Sequence, residues 1–87
     1  MPEISRFYGI IIRMFFRDHQ PAHFHAQYGE HEAQINISDG EIIEGNLPKK
    51  AIRLVQAWVE LHRDELLLNY KESQKEGGII SRIEPLR

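Results

Sequence analysis

Three of the five histidines and an aspartate fall within eight positions, Asp18-His19-Gln20-Pro21-Ala22-His23-Phe24-His25. The spacing His23-Phe24-His25 matters because alternate side chains of a strand share a face. His23 and His25 then point one way and Phe24 points the other, into a core. Asp18 and His19 precede Pro21, in what reads as the connection entering that strand. Two imidazoles on one face can share a metal, divide acid and base roles, or sit solvated in a turn.

Metal chemistry would draw on His19, His23, His25 and Asp18. His-x-His on a strand presents two ligands to zinc, manganese or iron, and His19 or Asp18 can supply a third. The chain has no cysteine, so thiolate zinc sites and disulfide scaffolds are excluded. Imidazole and carboxylate are the ligands left, and zinc is the divalent ion considered first. Arginines close by act against a cation. Phosphate chemistry draws on a different subset. Metal-free RNA cleavage needs a base, an acid and a cation for the transition-state charge. His23, His25, Arg13 and Arg17 supply those types as candidate catalytic residues, and Phe15 could stack a nucleobase. A purely structural role is the third reading, with the histidines hydrogen-bonded in a turn and packed along Phe15.

The elements around this segment follow from periodicity. From Arg6 to Arg17 the even positions Tyr8, Ile10, Ile12, Met14 and Phe16 are all apolar and the odd ones mixed, which predicts one long strand. Residues 18 to 22 turn the chain. A second strand runs from about Ala22 to Tyr28 and ends at Gly29. A third, about His31 to Ser38, sets Ala33, Ile35 and Ile37 against Glu32, Gln34 and Asn36. Asp39-Gly40 predicts a two-residue hairpin loop, with Ile37 opposite Ile42 and Glu44 opposite the apolar Ile35. An early end to the fourth strand is the expected escape from that conflict. Aligning the apolar faces of the first two strands aligns their opposite faces too. Arg13, Phe15, Arg17, His23, His25 and Gln27 then share one polar surface with Gln34 and Asn36.

Leu47-Pro48 opens a helix, with Asn46 or Leu47 at its cap. Ile52, Val55, Val59 and Leu66 recur at helical spacing, flanked by Ala51, Leu54, Trp58 and Leu61. That stripe is wider than one sheet-facing side requires. Part of it, around Trp58 and Leu61, is therefore expected to meet a second small protein or a homo-oligomer mate. Gly77-Gly78 reads as the C-cap. An unbroken helix from Pro48 to Lys75 would be about 42 Å long, too long for a domain of this size, so a bend or break near Arg63-Asp64, or a projecting end, is expected. Ile79, Ile80 and Ile83 suggest a last short strand, stopped by Pro85. Lys49, Lys50 and Arg53 form a basic cluster in the first helical turns. With Trp58 they are the candidate partner- or phosphate-binding residues, and a solvated helix face is the alternative. His62 and Glu65 share a helix face and read as a surface hydrogen bond or ion pair.

These elements describe one domain over residues 1–87. The expected class is α+β: a small antiparallel sheet of three to four strands, covered on one face by a long or broken helix, with a short C-terminal strand. A hydrophobic content of 41% and a charged content of 28% are those of a globular chain. The formal charge of −2 gives no global basic field for nucleic acid, although a local patch leaves RNA open as a partner. No signal-peptide pattern opens the chain and no apolar run approaches the ~18 residues of a membrane span. No membrane partner and a cytoplasmic location are expected.

Three segments together carry a resemblance: Met1-Pro2-Glu3-Ile4-Ser5-Arg6-Phe7-Tyr8-Gly9-Ile10, then His19-x-Pro21-x-His23-Phe24-His25-Ala26, then Leu61-His62-Arg63-Asp64-Glu65-Leu66. The chain resembles, over nearly its whole length, a family of small bacterial proteins defined only as a domain of unknown function (number four-one-six-zero). Where that family often has two prolines before His-Phe-His, this chain has Pro21-Ala22. The resemblance implies a gene lying beside that of another small protein, as in toxin–antitoxin pairs. It implies no established activity and no catalytic residues. The expected function is a protein-binding module of such a pair; a metal-independent RNA-cleaving toxin and a metal-binding regulator are the alternatives.

Overall fold

The computed structural model describes residues 2–87. Five strands come first: β1 Glu3–Phe7, β2 Ile10–Arg13, β3 His23–Tyr28, β4 His31–Asn36 and β5 Ile42–Gly45. They form one antiparallel sheet in the order β1-β2-β3-β4-β5, so each strand pairs with its neighbour in sequence. A single long helix, α1 Lys49–Ser73, follows. The fold is α+β, with five strands where three to four were expected.

The extra strand comes from the N-terminal segment. The expected long strand from Arg6 to Arg17 is folded into a hairpin, with Phe7 opposite Ile10. Tyr8 (φ 50°) and Gly9 (φ 82°) both take positive φ, as a type I′ hairpin turn requires. Gly adopts that conformation freely; Tyr does so at a cost and remains exposed. The fold-back puts Phe7 on the same face as Ile10 and Ile12, and all three are buried. Tyr8 and Phe16, expected on the apolar face, are exposed.

The far edge differs too. Ile35 pairs with Ile42 and Gln34 with Glu44, with a register shift between the two pairs. The connection is longer than two residues: the Asn36 N–H donates to Glu41 O (2.9 Å) and the Gly40 N–H to Asn36 O (2.8 Å). This shift keeps Glu44 off the apolar face without ending the strand early. β5 reaches Gly45, where φ is +86° and a Cβ would collide with the Glu32 carbonyl oxygen, so only glycine fits there.

Pro48 occupies the N-cap of α1 with no side-chain capping bond. Asn46, the better capping residue by type, instead donates its N–H to Glu32 O (3.0 Å) and extends the ladder. His62 breaks the helical geometry (φ −127°, ψ 22°), one residue before the expected bend. The second half of the helix starts afresh there. Its first-turn acids Asp64 and Glu65 suit the positive end of the helix dipole, and the His62 ring bonds Glu65 (Nδ1···Oε1, 2.6 Å). Arg63 Nε donates to Ile37 O (3.0 Å), which ties the kink to the β4–β5 connection. The helix ends at Ser73, before Gly77-Gly78, with Gln74 as its C-cap.

Trp58 sits at the centre of the core. It lies 5.4 Å from Phe7 and 5.7 Å, edge-on, from Phe24 between ring centroids. Its Nε1 donates to Glu84 O (2.8 Å), and its exposure is 0%. Trp58 is therefore withdrawn from any partner-facing surface, contrary to expectation. The helical stripe is wide because the chain after α1 folds back over it as well as the sheet. That last segment is irregular, not a strand. A ladder-like bond from Ile83 N–H to Ile4 O (2.8 Å), a bond from Arg82 Nη1 to Glu3 O (3.2 Å) and the burial of Ile83 hold it against β1. Among the described residues no helix is long and apolar enough to cross a membrane.

Candidate functional site

β3 alternates as its sequence requires, with Phe24 and Ala26 in the core and His23, His25 and Gln27 on the other face. The register sets Arg13 and Gln34 on either side of His25, and Asn36 beside His23. The connection from β2 then folds back over this face and delivers Asp18. Its carboxylate Oδ2 lies 3.0 Å from His23 Nε2 and 2.9 Å from His25 Nε2. The three ligand atoms of Asp18, His23 and His25 fall within 4.8 Å of one another.

The proton inventory of this cluster is informative. His23 Nδ1 donates to Pro21 O at 2.7 Å, since a carbonyl can only accept. His23 Nε2 then faces Oδ2, and an ionised carboxylate also only accepts. The ring therefore lies between two acceptors. The side chain of His23 is fully buried, whereas those of His25 and Asp18 are 20% exposed. The cluster is thus reached from the His25 and Asp18 side.

The carboxyl of Asp18 feels opposed effects. Partial burial pushes its pKa up. Hydrogen bonds from His25 and from the His19 N–H, and the charge and hydrogen bond of His23, outweigh this and hold it below the usual carboxylate value. Burial, helped by the Asp18 charge, pushes the Tyr70 phenol up.

Three residues at the end of α1 hold the Asp18 loop and have no site signal in the sequence: Tyr70, Ser73 and Gln74. Tyr70 Oη donates to Asp18 O (3.2 Å) or His19 O (2.8 Å), Gln74 Nε2 to Asp18 O (3.2 Å), and the Arg17 N–H to Ser73 O (2.9 Å). Pro21 contributes only its carbonyl. Tyr70 and Ser73 are buried on the inward side of α1, and backbone contacts leave no trace in side-chain type.

The other candidates scatter. The exposed His19 ring stacks on His23 with centroids 4.8 Å apart, and its Nε2 stays 3.8 Å from Asp18 Oδ1. Phe15 meets His25 edge-on at 4.5 Å. Arg13 bonds Gln27 Oε1 through Nη1 (2.6 Å), one strand from His25. Arg17 is exposed at positive φ (58°) and makes no side-chain hydrogen bond to the cluster among the described residues. Lys49, Lys50 and Arg53 are exposed on the first turns of α1 and make no ion pair among the described residues. A shallow groove of about 260 Å³ lined by Arg13, Phe15, His25, Gln27 and Glu32 runs beside the cluster.

Fold and cluster together define a small α+β domain with an Asp-His-His constellation across the polar face of a five-stranded antiparallel meander. The chain belongs to the family described as Domain of unknown function (DUF4160), whose profile matches residues 9–71. That span contains β2 to β5, the Asp18 loop and all of α1 up to Lys71. No curated protein and no solved structure matches the chain.

Proposed function

We propose that this domain is a cytoplasmic metal-binding module in which Asp18, His23 and His25 take one divalent transition ion, zinc foremost. The observation that carries this is the position of His23 between two acceptors. A ligating histidine characteristically donates its second nitrogen to a carbonyl or carboxylate, which fixes the tautomer and aims the other lone pair at the ion. The bond from Nδ1 to Pro21 O has that form. A cation between Nε2 and Oδ2 would relieve the acceptor-to-acceptor contact that a singly protonated ring would otherwise make. The mixed N,N,O donor set suits zinc, manganese or iron. His19, stacked at the rim, is within reach as a fourth ligand after a side-chain rotation.

Calorimetry with zinc at neutral pH tests the reading. A dissociation constant on the order of 1 μM or tighter is expected, with loss of binding in His25→Ala and weakening in His19→Ala. Millimolar affinity, or affinity unchanged in a His23→Ala/His25→Ala double variant, refutes it.

Pairing with another small protein, in a toxin–antitoxin-like arrangement, is the second reading. The exposed leucines of the distal helix favour it: Leu61, Leu67 and Leu68 face solvent. Metal-independent RNA cleavage by His23, His25, Arg13 and Arg17 draws the least support. A general acid or base must reach its substrate, and the His23 side chain is wholly buried.

A further inference from the structure

We propose that the distal half of α1 is a self-association surface, on which a second copy of this chain docks antiparallel about a two-fold axis. Beyond the kink at His62 the helix runs to Ser73 with Leu66, Asn69, Tyr70 and Ser73 facing inward. The outward face consists of Asp64, Leu67, Leu68 and Lys71, all exposed. At 100° per residue, Asp64 and Lys71 lie almost in line along the middle of this face, with Leu67 on one flank and Leu68 on the other. Leu67 is 42% and Leu68 59% exposed, an apolar area that nothing in the chain covers.

The charges select the occupant. Among the described residues, Asp64 and Lys71 form no ion pair. Their neighbours in the same turns are paired within the chain: Glu65 with His62, Arg63 with Glu60, and Glu72 with Lys75. Asp64 and Lys71 are seven residues apart, about 10.5 Å along the axis. A two-fold axis crossing the helix between Leu67 and Leu68 sets Asp64 of each copy against Lys71 of the other. The same operation brings Leu67 against Leu67 and Leu68 against Leu68. The face is thus complementary to itself, as an isologous contact requires. A parallel arrangement would instead oppose like charges. The segment spans only three turns, so the buried area falls short of the ~800 Å² per partner of a standard interface. The dimer should be weak and concentration-dependent.

Sedimentation equilibrium of the full chain at low salt, from about 10 μM to 1 mM, tests this. Self-association is expected on the order of 100 μM, and Leu68→Ala should weaken it several-fold. Asp64→Lys puts two cations on the face and Lys71→Asp two anions, so each variant alone should stay monomeric. An equimolar mixture of the two should restore association, as a heterodimer with both pairs opposite in charge, one in the native sense and one reversed. Because the mixture is the readout, a fold defect in either variant cannot imitate success. A monomeric wild type at 1 mM, association that survives in the single variants, or a mixture that stays monomeric overturns the proposal.

Discussion

The molecule holds two constellations of the same residue types, and they differ in what the carboxylate serves. At the kink, Glu65 meets one imidazole, His62, three residues away on one helix, and 54% of the Glu65 side chain is exposed. That pair links the kink to the first turn of the restarted helix. On the sheet, Asp18 comes from a loop and meets two imidazoles of β3, and the ring of His23 has both nitrogens engaged by acceptors. The first arrangement needs only local sequence. The second needs a strand, a loop and the end of the helix to converge. A histidine–acid pair becomes a candidate ligand set when at least three donor atoms converge, and among the described residues the sheet cluster does so.

The largest expected contrast is in metal affinity. His23→Ala or Asp18→Ala should weaken zinc binding on the order of 10²-fold or more, while His62→Ala and Glu65→Ala leave it unchanged. Parallel titrations with a zinc-sensitive dye would show this. Equal losses at both constellations would erase the distinction drawn here.

Stability in EDTA should order the two in the same way with smaller effects. His23→Ala removes a buried ring and orphans the Pro21 carbonyl, at a cost of about 2–4 kcal/mol. His62→Ala removes the side-chain hydrogen bond to Glu65 and a partial contact with Trp58, about 1 kcal/mol. At roughly 4–8 °C per kcal/mol for a domain of this size, melting temperatures would separate the two clearly. A His62 variant melting as low as the His23 variant would mean that the kink is the more critical structure.

The two constellations were also unequally legible. His23 and His25 on one face follow from a period of two, and the closeness of His62 and Glu65 follows from helical spacing. Asp18 could be placed near the histidines but not against them, because its position depends on backbone bonds from Tyr70, Gln74 and Arg17. Elsewhere the sequence misled where a turn interrupts a continuous pattern. Ile10 and Ile12 continue the alternation of Tyr8, so the hairpin at Tyr8-Gly9 hides inside it, and the face of Phe7 reverses. Asp39-Gly40 has the composition of a tight hairpin, yet burying Ile35 and Ile37 while keeping Glu44 wet selected a longer connection. Trp58 was assigned outward because the irregular chain around Ile83 and Glu84, which covers it, has no periodicity to announce it.

The smallest effect concerns a third acid, Glu72, whose side chain is 28% exposed. Glu72 bonds Lys75 Nζ at 2.9 Å and accepts the Ile79 N–H at 3.3 Å, clasping the chain just past the helix end. The Lys75 hydrogen bond, then that of Ile79 and the charges of Lys75 and Lys71, lower its pKa, against a smaller opposing effect of burial. The sign follows from linkage. A carboxyl that is more acidic in the folded state contributes stability that is fully present above its unfolded value, near 4.3, and is lost as pH falls through the lower folded value. The clasp is solvent-exposed, so screening keeps its share of global stability small, and its loss should be local. Between pH 5 and 3, the Ile79 amide resonance should shift and its protection from hydrogen exchange, corrected for intrinsic rate, should fall. Amides of β3 should be unaffected over the upper part of that range. Glu72→Gln should remove the titration and leave Ile79 equally weakly protected throughout. If Ile79 titrates unchanged in Glu72→Gln, the clasp is not what orders the segment, and the covering of Trp58 by the chain beyond it rests on the paired bonds of Asn69 with Ser81, on Arg82 with Glu3, on Ile83 and on the Trp58 bond to Glu84.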